Sequence, residues 1–556
     1  MFKKYILFAA LTALCGTAHL QAETLNIASL GALPDDGIDD TEALRKAVQF
    51  CKENPNTVLE IPAGVYRLRD EAAVQLEQDA MSSKMGRSTE PIIYTAYYPY
   101  AKGLDFTGTK NLTIEAKGAT LMCEGWMEPI SLDNCENITI KGLTIDYKNK
   151  PFSDGEITAV EDEAFEAVFN DERELTEKTP FLRAIFWQKD EDRMWPHPVY
   201  FPEIEKVEGK KVRFKTKIDK SLLGAGIGVI HSFHFRPAIL ILRSSQVTLN
   251  DVTIHAQPGM GIVGFLSRDI TMNRLSVVPS EGHILSSNTD ATHFASCSGT
   301  IRFDGCKFQG HQDDATNVHG YYQTIMEVNG EKARLGITHQ AFTHAQVADL
   351  PDKGDVMELV EVDTLKPVAT FTVAGTEHTI PNKYWDVTFT EKLPEDATGK
   401  YFLMNISKLP RLEFVNSTVN SHLARAVLVK TRNVLIQNNI FRNSTGTGIH
   451  VGAESWWQEG SHAEDVIIRD NIITGCGRGT GRQGNASGIA VIIDAKDTEA
   501  TYLHKNITIE NNVIKGDPGL CGIYVGNAQD VVLKHNKILG CKENYRIHSS
   551  KVAITD

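Results

Sequence analysis

The sequence predicts an all-β fold: a right-handed parallel β-helix with two inserted small β-barrel domains. Three observations predict it. A strand–Asn–strand phrase recurs along the chain, most cleanly as Asn433–Phe441, Asp465–Ile473, Asn506–Ile514 and Asp530–Ile538. An earlier, looser set includes Asn111-Leu-Thr-Ile-Glu115, Asn137–Asp146, Val247–Ile254 and Asp269-Ile-Thr-Met-Asn273. Two stretches of about 80 residues break this rhythm, too long for structureless loops in a compact protein. They carry Val-Glu-Gly and Val-Asn-Gly hairpin signals between alternating strands. Each short β-branched strand leaves edges that only a neighbouring unit can satisfy, so the units must stack. Asn suits the corners because it tolerates the left-handed backbone a tight turn requires.

The elements follow in order. Residues 1–22 read as a secretory signal peptide: Lys3 and Lys4, an apolar run from Tyr5 to Leu14, then small residues to Ala18 and Ala22. The run is too short to span a bilayer. Cys15 is placed where a lipidated cysteine would stand, but Leu14 before it disfavours that use. Residues 23–150 form an N-terminal cap and the first rungs. There Asp40 or Thr41 caps a helix through Ala43, Leu44, Ala47 and Val48, covering the open apolar end of the coil. Residues 151–235 are the first barrel-like insertion. Residues 236–321 are rungs carrying the site, 322–403 the second insertion, and 404–556 the C-terminal rungs.

Composition narrows the function. The chain has 556 residues, 42% hydrophobic and 23% charged, with a net charge of -14. Such acidity argues against nucleic acid and anionic membrane surfaces as partners, which favour basic proteins. No segment reads as a transmembrane helix, and an oligomer is compatible with the sequence. The leader implies export to the periplasm or outer membrane of a Gram-negative bacterium. The cysteines that follow it form no CxxC or zinc pattern, and pairs such as Cys297/Cys306 and Cys521/Cys541 are expected as stacked thiols within the rungs.

Chemistry concentrates in one cluster. Asn288-Thr-Asp290 is followed 23 residues later by Asp313-Asp314, within His311-Gln-Asp-Asp, and then by His319-Gly320. The local repeat is also about 23 residues, so Asp290 is expected beside Asp313 on adjacent rungs, roughly 4.8 Å apart. Crowded carboxylates repel, and that raises the pKa of one of them. A carboxylic acid beside carboxylates is what glycoside hydrolysis uses: one group protonates the leaving oxygen, another activates water or attacks the sugar. Asp290, Asp313 and Asp314 are therefore the candidate catalytic residues. His283, His311 and His319 flank them as candidate substrate-binding groups, with Glu454, Trp456 and Trp457 as a further polar and aromatic wall. Trp187, Trp195 and His197 are weaker candidates of the same kind. Calcium is the competing use of the aspartates, but no DxDxDG loop or nonapeptide Gly-Asp repeat accompanies them. No metal or other cofactor is expected.

At these residues the chain resembles known enzymes. Asn288-Thr-Asp290, Asp313-Asp314 and His319-Gly320 look like the active-site phrases of polygalacturonase-type β-helix hydrolases, without a clear counterpart of their Arg-Ile-Lys motif. A closer resemblance covers nearly the whole chain beyond the leader. It is to the bacterial α-1,3-galactosidases of glycoside hydrolase family 110, which act on the blood group B determinant. It rests on Gly31-Ala-Leu-Pro-Asp-Asp-Gly37, Pro151-Phe-Ser-Asp-Gly-Glu156, Glu281–Asp290 and His311-Gln-Asp-Asp314. The resemblance implies a pectin-lyase-like β-helix with two inserted barrels. It implies exo-acting removal of terminal α-1,3-linked galactose with inversion and without a cofactor, the partner being a glycan ending in α-galactose. It implies that Asp290, Asp313 and Asp314 are the site acids; Asp314 is then expected as general acid, with Asp290 and Asp313 positioning and activating water. Both branched and linear α-1,3-galactosides remain open as substrates. Hydrolysis or elimination of another, acidic polysaccharide, and non-catalytic glycan binding, are the alternatives.

Overall fold

The computed structural model describes residues 23–89, 92, 98–336, 349–380, 384–479, 486–499 and 501–555. Residues 1–22, expected from sequence to be a leader and including Cys15, lie outside them. The chain is an all-β solenoid of three parallel sheets, with the short helices Thr41–Glu53 and Glu71–Met81 near the start of the described residues. One sheet has thirteen strands, from Glu23–Asn26 to Val552–Thr555, and a second has eleven, from Gly64–Arg69 to Lys537–Leu539. The third runs from Lys102–Asp105 through Thr292–Ala295, Thr316–Asn329, Val427–Val429 and Ile449–Glu454 to Glu543–His548.

The helix Thr41–Glu53 buries Leu44, Ala47, Val48 and Cys51 on one face, against Ile27 and Leu59 of the first coil. That spacing is one helical stripe, and it closes the end of the coil. Its first turn is held by Asp39, whose carboxylate accepts from the Thr41 N–H at 3.0 Å; Asp40 instead accepts from Arg67 N.

The repeated Asn-Asn and Asp-Asn pairs divide their labour. Asn438, Asp470, Asn511 and His535 adopt positive φ of 51–57° at the corner. The next residues, Asn439, Asn471, Asn512 and Asn536, stack into a ladder. The side-chain oxygens of Asn471, Asn512 and Asn536 accept the backbone and side-chain N–H groups of the Asn before them, at 2.9–3.1 Å, and that of Asn439 accepts from Ser417 N at 2.8 Å. Each side-chain NH2 also donates to a strand carbonyl, at 2.8–3.0 Å. Buried corners thus keep their polar groups satisfied.

The two interruptions differ from each other. In the first, seven strands between Phe152 and Ile230 pair along an open antiparallel path, with Val199–Tyr200 added beside Arg183–Gln188. It is a sheet laid on the helix rather than a separate barrel. Leu182, Ile185 and Trp187 join the solenoid core while Ala184 and Phe186 face the insertion's own core. In the second, the pairings run from Thr316–Asn329 through Lys332–Gly336, Tyr384–Phe389, Pro367–Ile380, Val356–Glu361 and Tyr401–Asn405 back to the first strand. Its opening strand is also a rung strand, paired in parallel with Thr292–Ala295 and Val427–Val429. This segment therefore grows out of a rung and closes a ring of strands around Ile325, Leu335, Met357, Phe371 and Trp385. Among the described residues eight cysteines are free thiols, seven of them buried and Cys541 half-buried.

Candidate active site

Alternation along the third sheet builds the site. Phe294, Val318, Val427, Val429, Ile449 and Val451 point into the solenoid core. A strand sends its intervening side chains to the other face. Those are His293, His319, Lys430, His450 and Glu454, all buried. Turns leading into the strands supply Asp290, Asp313, Asp314 and Arg425.

The register differs from the expected one. Thr292 pairs with Thr316 and Ala295 with His319. Carried two residues back, this sets Asp290 beside Asp314 rather than Asp313, and Ala291 N donates to Asp314 O at 3.0 Å. The cause is one extra residue in the strand Ser298–Asp304: its ladder with Arg268–Asn273 is bulged between Arg268 and Ile270. Gly299 sits there at φ +64°, and a Cβ on it would meet the Asp269 carboxylate at 2.1 Å.

One oxygen from each of Asp290, Asp313 and Asp314 lies within 4.8 Å of the others. Their settings differ. Asp314 is buried and held by Arg425. Its Oδ1 accepts from Arg425 N at 2.8 Å and Nε at 3.0 Å, and its Oδ2 from Nη2 at 2.8 Å. Asp290 is buried and its Oδ2 lies 2.7 Å from His293 Nδ1; burial raises its pKa. Asp313 is half-buried and is the one of the three that lines a pocket of about 580 Å³. Loss of solvent, then the charges of Asp290 and Asp314, push its carboxyl well above the usual range, against the opposing pull of Arg183 and Arg425.

Beneath the pocket an ion-pair network links these groups. Arg425 Nη1 donates to Glu454 Oε1 at 2.7 Å, and Lys430 Nζ to Glu454 Oε2 at 2.6 Å. Lys430 also bonds Glu459, and Glu459 Oε1 lies 3.7 Å from His319 Nε2. Burial alone would raise both glutamates. Lys430 and Arg425 outweigh it at Glu454, which falls to about 2, and Lys430 holds Glu459 well below its ordinary value. The strand pairing of Gly320 with Gly460 carries Glu459 into this position.

The first insertion forms the facing wall, with Pro196, His197, Pro198 and Tyr200 on the pocket. Arg183 from that insertion ties the two acidic rungs together. Its Nη2 donates to Asn288 O at 3.0 Å and Gln312 O at 2.6 Å. Asn288 in turn donates to Pro151 O at 3.1 Å and Ser232 O at 3.0 Å, fastening the insertion's two ends.

Of the other residues expected from sequence, Glu454 and Trp457 line the pocket and Trp456 is 55% exposed beside them. His319 is buried in the network. His283 stands apart: its Nδ1 bonds the Asp154 carboxylate at 3.0 Å, in a different cavity. His311 is buried and stacked on His422 at 4.1 Å, and burial drives its pKa well below 6.5. Sequence proximity to the aspartates suggested both; the turn and the inward side of the coil take them elsewhere. Trp187 packs in the solenoid core, while His197 does line the pocket. Missed from sequence were His293, Arg425, Lys430, His450 and Glu459. A polar residue alternating with core valines, as in Val427-Leu-Val-Lys430, was the available signal.

Among the described residues two trios have atoms close enough to share a cation: the three aspartates, and His293, His319 and Glu459. In the second, the two Nε2 atoms are 2.8 Å apart. Nitrogen ligands around one tetrahedral ion would sit roughly 3.3 Å apart, and Glu459 is already neutralised by Lys430. That geometry fits a hydrogen bond.

A family model described as a right-handed β-helix region matches residues 403–551. The chain is similar to α-1,3-galactosidase A of Bacteroides fragilis, 27% identical over 546 residues that span 92% of this chain and 87% of that protein. It is also similar to α-1,3-galactosidase B of Parabacteroides distasonis, at 25% identity, covering 98% and 94% of the two chains. Among solved structures, the A-module of mannuronan C-5 epimerase AlgE4 from Azotobacter vinelandii aligns with a TM-score of 0.45 and 12% identity, over 96% of this chain and all of that one.

Proposed function

We propose that this protein is an exported glycoside hydrolase that removes terminal α-1,3-linked galactose from glycan ends with inversion, and that Asp313 is its general acid. The observation that carries the assignment is the contrast within the trio. Asp313 faces the pocket with its pKa raised, whereas Asp314 is paired three ways with Arg425. An acid must hold its proton at working pH and reach the leaving oxygen. Asp314 is occupied by Arg425 and does not line the pocket, so it is poorly placed to reach that oxygen. This moves the acid from Asp314, where the sequence reading placed it, to its neighbour. Asp290 and Asp314 remain as the pair that holds and activates water.

In the proposed step the water's O–H bond breaks and its oxygen bonds to C1 of galactose. Its proton passes to a carboxylate, the C1–O bond breaks, and the departing oxygen takes the proton of Asp313. A pocket closed on one side by Pro196–Pro198 and on the other by Glu454 and Trp457 suits a chain end better than a chain interior. The similarity to α-1,3-galactosidases along most of both chains supports the linkage.

A retaining route is the second reading. The oxygens converge within 4.8 Å, closer than the roughly 6.5–9.5 Å usual for inversion. A screen of terminal α-galactosides by linkage, followed by NMR, tests both. Release of galactose from Gal-α-1,3-Gal, first seen as the β anomer, is expected. The α anomer first would replace inversion with retention, and no release from any α-galactoside would remove the substrate class.

A further inference from the structure

The hydrogen-bond chain from Asp290 to Gly320 admits few proton placements. His319 Nδ1 lies 2.9 Å from the Gly320 carbonyl, which can only accept, so this nitrogen carries a hydrogen. His319 is fully buried, and burial lowers its pKa to about 3, so its Nε2 is bare. His293 Nε2, 2.8 Å away, must then be the donor in that contact. The remaining nitrogen of His293, Nδ1, faces Asp290 Oδ2 at 2.7 Å. A contact that short between a nitrogen and an oxygen needs a proton between them. Asp290 and His293 therefore hold one proton jointly. It sits either on a carboxylic acid facing a neutral ring or on an imidazolium facing a carboxylate.

The surroundings bear on that choice. Asp313 and Asp314 lie on one side of Asp290, and Glu459 lies beyond the two histidines. Around it the acidic groups Asp290, Asp313, Asp314, Glu454 and Glu459 face the cations Arg183, Arg425 and Lys430. Acidic groups outnumber basic ones, so a cation at His293 is favoured by charge balance, and the ring lies in line to supply it.

We infer that His293 is an imidazolium that keeps Asp290 ionised, making Asp290 rather than Asp314 the carboxylate that receives the proton of the attacking water. His319 serves as its fixed acceptor, oriented by Gly320. The inference rests on the proposed hydrolytic reading and adds to it a positioning residue and the identity of the base. Asp314, occupied by Arg425 N, Nε and Nη2, orients the water. On turnover Asp290 gains the water proton while His293 retains its own, so the two positive ring hydrogens never enter the reaction.

Two measurements test it. In protein with 15N-labelled histidine, the His293 resonances, assigned by their loss in His293→Gln, should show both ring nitrogens protonated at neutral pH. A neutral His293 with bare Nδ1 would overturn the inference, and so would a stoichiometric metal ion held by its Nε2. This reading does not need turnover, so it stands even if no α-galactoside is cleaved, which would instead remove the proposed function. The second is the pH profile of kcat/KM for His293→Gln. With the cation gone, Asp290 holds its proton to higher pH, and the acid limb should move up by one unit or more. An unmoved limb with uniform loss of rate would mean that His293 only packs the site. If the variant does not fold, His319→Gln, which removes the fixed acceptor, supplies the resonance assignment by perturbing its neighbour.

Discussion

The C-terminal corners and the rungs of the site use one repeat in opposite ways. At Asn439, Asn471, Asn512 and Asn536 each rung presents the same neutral amide, and each amide satisfies the one before it. At the site successive rungs present ionisable groups: His293, then His319, then Lys430, then Glu454, linked by hydrogen bonds and ion pairs. Identical neutral residues stack because a hydrogen bond can be repeated indefinitely. Like charges on neighbouring rungs repel, as at Asp290 and Asp314, so the site needs opposite charges and covering elements to keep it together. The strand Glu459–Gly460 supplies one carboxylate and the first insertion supplies Arg183. The ladder is a stability device legible as a repeat, whereas the cations of the site, Arg425 and Lys430, are not part of any repeated phrase.

Removing a charge from the site should have the larger effect on folding. Lys430→Ala leaves Glu454 and Glu459 buried without their shared cation, and breaking a buried pair from one side costs about 3–5 kcal/mol. Chemical denaturation should show that loss together with lost activity; an unchanged midpoint would mean that water enters and the network is not sealed. Asn471→Ala should cost less, about 1–3 kcal/mol for the buried groups left unpaired. Activity on small substrates should be kept, since the ladder lies away from the pocket. A large kinetic defect there would break the division between the two regions.

Acid should separate them further. The folded protein lowers Glu454 from 4.5 to about 2, so its stabilisation is present above 4.5 and is lost as pH falls toward 2. His319 and His450 drop from 6.5 to about 3 by burial. The unfolded chain then binds protons that the native one does not, and stability falls as pH drops below 6.5. Hydrogen exchange between pH 7 and 4 should therefore show the site strands opening before the amide ladder, which has no titrating group. Trp456→Ala should have the smallest effect: exposed at the rim, it should raise KM several-fold for larger glycans and leave thermal stability unchanged.

The sequence made the solenoid readable because Asn at the corner and β-branched residues beside it are local signals. It also made the acidic trio readable, since Asn288-Thr-Asp290 and Asp313-Asp314 fall one period apart. The pairing was off by one because the bulge at Gly299 adds a residue that no composition cue marks. His283 and His311 were drawn in by nearness along the chain, but His311 stacks on His422 inside the coil. Arg425 and Glu459 were invisible for the reverse reason. They come from residues more than a hundred positions later, after the second insertion, and only the sheet register brings them to Asp314 and His319.

The central claim is that Asp313, not Asp314, protonates the departing sugar, and leaving-group dependence tests it most directly. Rates of Asp313→Asn and Asp314→Asn should be compared on Gal-α-1,3-Gal and on a nitrophenyl α-galactoside. Loss of a general acid is worth roughly 10²–10⁴-fold. Asp313→Asn should lose that much on the disaccharide and regain most of it on the nitrophenyl substrate, whose leaving group needs little protonation. Asp314→Asn should lose similar rate on both. Recovery by Asp314→Asn instead, with equal losses for Asp313→Asn, would contradict the assignment.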